Sequence, residues 1–170
     1  MKKIVSFLFT LMMIVSLGAF AQGEKEKPAS PPAEAQAKVG DAMVTISYHS
    51  PGVKGRTIYG ELVPYGKIWR AGANNATTFE SDKDLKLNGK ELPAGKYALF
   101  VIPKKDQTWT VVFNSVPDQW GAYKHDASKD VLRIEAETAD IDATERLTYA
   151  IKDGKVHMDW ETTRMHFTIE

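Results

Sequence analysis

The feature that most restricts this chain is a strict two-residue alternation on either side of Asp153-Gly154. Leu147, Tyr149 and Ile151 precede that pair, Val156, Met158 and Trp160 follow it, and polar residues fill most places between. Successive side chains of a strand leave on opposite faces, so this pattern builds one buried face and one wet face. Asp-Gly supplies the positive φ angles that a two-residue hairpin turn requires. Pairing Lys152 with Lys155 makes partners of residues whose numbers sum to 307, setting Leu147 opposite Trp160, Tyr149 opposite Met158 and Ile151 opposite Val156. A slip of one residue would send the whole apolar set to solvent.

The same period recurs upstream. Val44, Ile46 and Tyr48 alternate with polar residues, and 76–80 and 84–87 read as extended. Asn88-Gly89 is a second hairpin signal and sets Leu85 opposite Leu92 and Lys86 opposite Glu91. Lys96–Ile102 is apolar enough for a central strand, and Trp109–Phe113, Val131–Ala136 and Met165–Ile169 add more. No stretch sustains a 3.6-residue apolar period. The expected fold class is all-β: an antiparallel two-sheet β-sandwich of nine or ten short strands with a long glycine-rich packed loop, preferred to a closed barrel.

At the N-terminus, Lys2 and Lys3, an apolar run to Leu17 and Ala19-Phe20-Ala21 have the form of an export signal over 1–21. Residues 22–38 contain no large apolar side chain and are expected to be a disordered spacer, leaving 39–170 as a single domain. The protein is accordingly expected in the periplasm or outside the cell, with no membrane span after cleavage. It contains no cysteine, so its core is held without disulfides. Removing Lys2 and Lys3 from 22 basic and 22 acidic residues leaves a net charge of −2. That balance argues against a nucleic-acid partner.

Between Ser50 and Asn74 lie five glycines and two prolines, a density that no helix or strand of ordinary length survives. The stretch also holds Val53, Ile58, Tyr59, Leu62, Val63, Tyr65, Ile68 and Trp69, which call for burial. A loop both turn-rich and apolar-rich packs on itself, and such loops often carry function. Its cations outnumber its one acid, Glu61. Guanidinium forks and free backbone N–H groups complement anions. Lys54, Arg56, Arg70 and Asn74 are therefore candidate ligand-binding residues. Trp120, in the loop that ends at Tyr123, is a candidate apolar wall for a sugar face. The competing reading is that the arginines brace the loop, for example against Glu80.

Other groupings carry less. His157, Asp159 and His166 fall on polar faces and would form a metal triad were their strands adjacent, yet alternation alone explains them as a solvated face. Asp126, Ser128 and Asp130 have calcium-loop spacing, but Val131 stands where the loop needs glycine. No metal site and no cofactor is assigned. The local motifs of the familiar hydrolases, metalloproteases and nucleotide-binding enzymes are missing.

The run Gly55-Arg56-Thr57-Ile58-Tyr59-Gly60-Glu61-Leu62-Val63-Pro64-Tyr65-Gly66-Lys67-Ile68-Trp69-Arg70-Ala71-Gly72-Ala73-Asn74 resembles a family of exported bacterial proteins catalogued as a domain of unknown function, DUF2911. The resemblance continues through Leu92–Phe100, Trp109–Asn114, Trp120-Gly121 and Asp130–Arg133, nearly the whole mature domain. It implies an exported single domain and brings no activity, cofactor or catalytic residue. Three readings follow. The first is a non-catalytic binding module for a small anionic or carbohydrate ligand. The second is a cofactor-free hydrolase or isomerase drawing on Glu80, His49 or Asp82. The third is a structural or adaptor domain that docks a cell-envelope protein.

Overall fold

The computed structural model describes residues 29–106 and 108–170. The export signal expected over 1–21 lies outside them. Nine strands follow in chain order: β1 (Pro32–Val39), β2 (Ala42–His49), β3 (Thr77–Ser81), β4 (Leu85–Leu87), β5 (Lys90–Leu92), β6 (Gly95–Ile102), β7 (Thr108–Asn114), β8 (Asp130–Lys152) and β9 (Lys155–Thr168). The only helical turn among the described residues is a 3-10 turn at Ala127–Lys129, so no described helix is long and apolar enough to cross a membrane.

The all-β, antiparallel expectation is met, but the layering differs from two comparable sheets. Seven strands form one sheet in the order β1-β2-β3-β6-β7-β8-β9, while β4 and β5 form a separate two-stranded ribbon. The large sheet curls into a half-barrel. Its curl brings the segment after β2 against the middle of β8, where Val53 N–H donates to Glu145 (2.8 Å) and Leu147 N–H to Pro51 (3.0 Å). The interior is filled by Ile46, Phe79, Leu99, Phe113, Leu147, Met158, Trp160 and Phe167, all buried.

Two expectations need correction. The spacer expected over 22–38 gives way to β1, which pairs with β2 from Pro32↔His49 to Val39↔Ala42. Residues 22–28 are outside the description. Ala33, Ala35, Ala37 and Val39 alternate with Glu34, Gln36 and Lys38, and the inward set is half-buried. Small side chains suffice there because the ladder of β2 supplies the hydrogen bonds. Pro32 sits at the strand's first residue, where its missing N–H is tolerated. Second, the separate short strands expected after Asp130 are continuous. β8 runs for 23 residues and β9 for 14. Bulges lie between Asp140 and Thr148, and a positive φ of 56° at Glu161 turns β9 through a corner. Beyond that corner the strand returns on itself, so that Ile169 N–H donates to the carbonyl of Gly154 (2.9 Å).

β6 is apolar from Tyr97 to Ile102 because both faces of that stretch are covered. Leu99 and Val101 join the interior, while Ala98 and Phe100 form a second cluster with Ala76 and Val112 on the opposite face. Ile68 and Ala122 close over that cluster. Burying Phe100 there contributes about 1.5–3 kcal/mol. Two loops are thereby anchored side by side on the outside of the sheet.

A cationic cleft between two packed loops

The glycine-rich stretch is the packed loop its composition implies. Ile58, Val63, Trp69 and Ala71 are buried, and Trp69 exchanges both backbone hydrogen bonds with Val101 of β6 (2.8 and 2.9 Å). Leu62 and Tyr65, expected inside, are instead exposed. The end of the loop is held in strained backbone. Ala71 has a φ of 53°, which costs a non-glycine residue about 1–2 kcal/mol. Its carbonyl accepts from Thr77 Oγ1 (2.9 Å) and from the buried Tyr149 hydroxyl (3.0 Å). Gly72 is required beside it, because a Cβ there would lie 2.9 Å from Thr77 Oγ1 and 3.1 Å from the His49 carbonyl.

The two arginines have different fates. Arg56 donates from Nε to the Val53 carbonyl (3.0 Å) and from Nη2 to that of Gly52, so it braces its own turn. Lys54 is exposed with a φ of 50°, and its amide donates to Glu145 Oε1 (3.0 Å). Arg70, in contrast, has a buried Nε with no partner among the described residues, and no acid there forms an ion pair with it. It lines a cleft of about 220 Å³ with Leu62, Lys67, Ile68, Ala122 and Tyr123. Lys54 and Arg56 are not part of this cleft.

The second wall belongs to the loop between β7 and β8. Asn74 (φ 58°) accepts from Gly121 N–H through its carbonyl (3.1 Å), and Ala76 N–H donates to Gln119 (3.0 Å). Asn74 thus joins the two loops through its backbone. Trp120 pairs with Asn75 through backbone, but the residue is 63% exposed and does not line the cleft. Tyr123 provides the aromatic wall there.

Behind Tyr123 lies a polar knot that the spacing of acids did not reveal. Asp130 Oδ1 accepts from Asn114 Nδ2 (2.7 Å) and bonds His125 Nε2 (2.8 Å), while Oδ2 accepts from Arg133 Nη2 (2.6 Å) and Nε (3.0 Å). Burial raises the Asp130 pKa, but the bonds from Asn114, Arg133 and His125 outweigh it and hold the carboxyl below its ordinary value. His125 N–H donates to Ala122 (3.2 Å), tying the knot to the cleft loop. Asp126, read as part of a calcium-like spacing, caps the 3-10 turn by accepting from Ser128 N–H (2.9 Å). The i, i+3 pair Asp130/Arg133 was the one visible signal.

The acid and base groups considered for catalysis do not converge. Glu80 pairs with Lys96 across the strands (3.2 Å) and Asp82 accepts from Met43 N–H (2.8 Å), whereas His49 lines a different groove with Glu34 and Thr78. His157 and His166 do meet, with ring centroids 5.9 Å apart. Asp159, however, is engaged by Arg164 in a two-pronged pair (2.6 and 2.7 Å). Burial, then Arg164, His166 and Lys152, lower the His157 pKa.

The profile of a family described as a protein of unknown function, DUF2911, matches residues 30–169. The chain belongs to this family. In this DUF2911 domain the match takes in both cleft loops and the Asp130 knot. No curated protein and no solved structure gives a significant match.

Proposed function

We propose that this DUF2911 protein is an exported, non-catalytic binding module that takes a small anionic ligand, sugar acids included, in the cleft between Leu62–Arg70 and Ala122–Tyr123. The observation that carries the reading is Arg70, whose buried Nε lacks a partner among the described residues, while Lys67, with no ion-pair partner among them, adds a second cation to the same cleft. A buried guanidinium donor without an acceptor is costly, and a carboxylate, phosphate or sulfate oxygen supplies one. Strained backbone at Ala71 and Asn74 follows directly after the arginine. The apolar wall of Leu62, Ile68 and Tyr123 suits a ring attached to the anion. Export rests on the signal-like first 21 residues.

The test is thermal shift and calorimetry with sulfate, phosphate, glucuronate and galacturonate. At least one should bind the wild type, and Arg70→Ala should weaken it by at least about tenfold, a loss of about 1.4 kcal/mol. Melting temperature should hold to within about 2 °C, since the Arg70 side chain bonds no other described residue. Arg56→Ala should do the reverse, lowering stability and sparing binding. If no anion raises the melting temperature, or Arg70→Ala binds like wild type, the reading fails.

A second reading is favoured by exposed Leu62, Tyr65, Val116, Trp120 and Tyr123 on the same loops. Such residues suit docking to another envelope protein. Trp120→Ala distinguishes the two, because Trp120 is outside the cleft and its loss should leave anion binding intact.

A further inference from the structure

The cleft between the two loops has a lining of unusual chemistry for an anion site. Lys67 and Arg70 are its charged residues, and no carboxylate, amide or aliphatic hydroxyl side chain joins them. Arg70 is half-buried and its guanidinium bonds no described residue. The rest of the lining is apolar or aromatic. Trp69 is buried with its ring stacked on Trp160 at 5.7 Å, so the accessible wall is made chiefly by Leu62, Ile68 and Tyr123. Gly121 lets the Tyr123 ring lie along the loop, since a Cβ there would stand 3.0 Å from two of the ring carbons. A sugar carries hydroxyls around its whole rim, and each one buried against such a wall without a partner costs about 1–3 kcal/mol. A hydrocarbon ring gains from the same contact. Size narrows the choice further. The cleft holds about 220 Å³. A cavity of about 150 Å³ takes one benzene, so this one has room for a single six-membered ring and its acid group, and none for a disaccharide or a nucleotide.

We infer that the cleft selects a monocarboxylic acid carried on a single apolar ring, of the benzoate, phenylacetate or cyclohexanecarboxylate class. This rests on the reading of the Arg70 cleft as an anion site and narrows its ligand. The carboxylate accepts from the Arg70 fork, whose planar donors match its two oxygens, and from Lys67 Nζ. The ring lies over Leu62 and Ile68 with Tyr123 against it. Phosphate and sulfate satisfy the charge but leave the apolar wall wet. Glucuronate satisfies the charge but sets its hydroxyls against hydrocarbon. A peptide end presents the same carboxylate beside an amide N–H, for which the Tyr123 hydroxyl is the one acceptor among the accessible lining side chains. Free ring acids are therefore preferred to chain ends.

The experiment is calorimetry of the full chain with benzoate, phenylacetate and cyclohexanecarboxylate, set against acetate, sulfate, glucuronate and N-acetylphenylalanine. At least one ring acid should bind at least about tenfold more tightly than any of the other four. Arg70→Ala should weaken every anion. Leu62→Ala and Tyr123→Ala, both at exposed positions, should weaken the ring acids by about fivefold and leave sulfate unchanged. NMR of the wild type gives a readout independent of variant folding, because ring protons of the bound acid should show Overhauser contacts to the Leu62 and Ile68 methyl groups. Sulfate or glucuronate binding as tightly as the ring acids, and lost in Arg70→Ala, would overturn this selectivity while leaving the anion reading in place. Ring acids that bind without those methyl contacts would overturn it too. Binding of no anion at all would overturn both.

Discussion

Replacing Asp130 by alanine probes the knot behind the cleft. The carboxylate accepts from three side chains, and they differ in what they lose. The Arg133 side chain is 45% exposed and rehydrates, so its share is at most about 1 kcal/mol. Asn114 keeps its bond to the Asp126 carbonyl (3.0 Å) and forfeits one net hydrogen bond, about 0.5–1.5 kcal/mol. The His125 side chain, only 9% exposed, is left with a stranded ring nitrogen, at about 1–2 kcal/mol. Together these give about 2–4 kcal/mol, or about 5–15 °C in melting temperature for a chain of this size. Urea unfolding followed by tryptophan fluorescence should show a lower midpoint with an unchanged slope. The pH dependence has a definite sign. Because the folded pKa lies below the unfolded carboxyl value of about 3.9, the Asp130 contribution is present above that pH and is lost as pH falls through the folded value. The gap between wild type and Asp130→Ala should therefore persist down to about pH 4 and close below it. A loss under about 1 kcal/mol, or a gap indifferent to acid, would refute the reasoning.

Two further substitutions test local geometry. Gly72→Ala forces its new methyl against Thr77 and the His49 backbone, so it should cost about 1–3 kcal/mol in denaturant unfolding. A neutral outcome would mean that the loop base is looser than described. Asn88 holds a φ of 47°, accepts from the Thr168 amide (2.7 Å) and hydroxyl (3.0 Å), and donates to Glu135 (2.6 Å). Asn88→Ala should lose about 2 kcal/mol and Asn88→Gly about 1 kcal/mol less, since glycine restores the backbone but not the bonds. The order of the two variants, read by thermal unfolding, decides the point.

Turn chemistry and alternation made the hairpins legible. The Asn88-Gly89 register, Leu85↔Leu92 and Lys86↔Glu91, is the one expected, and so is the Asp153-Gly154 register as far as Thr148↔Asp159. Beyond Thr148 bulges shift the pairing, so the expected partnership of Leu147 with Trp160 is not formed, and a positive φ at glutamate gives no compositional warning. β1 was hidden because alanines in an edge strand carry almost no hydrophobic signal and depend on their neighbour's ladder. At the site, composition marked the right loop but could not separate its arginines. Whether a guanidinium is consumed by a carbonyl, like Arg56, or left unpaired, like Arg70, depends on turns that residue types alone do not resolve. Trp120 drew attention as the larger ring, yet the loop path gives the cleft to Tyr123.

The return of β9 upon itself also bears on the order in which this chain comes together. Gly154 meets Ile169, His157 meets His166 and Asp159 meets Arg164, all within a single strand or at its two ends. Short separations are cheap to close, so this arm can assemble early, with β8 as its template. The cleft draws its walls from Leu62 and Tyr123, about sixty positions apart, and must wait for the sheet beneath them. The imidazole pair is thus gathered by a local event and the cationic pocket by a global one. Partial unfolding should erase the second long before the first.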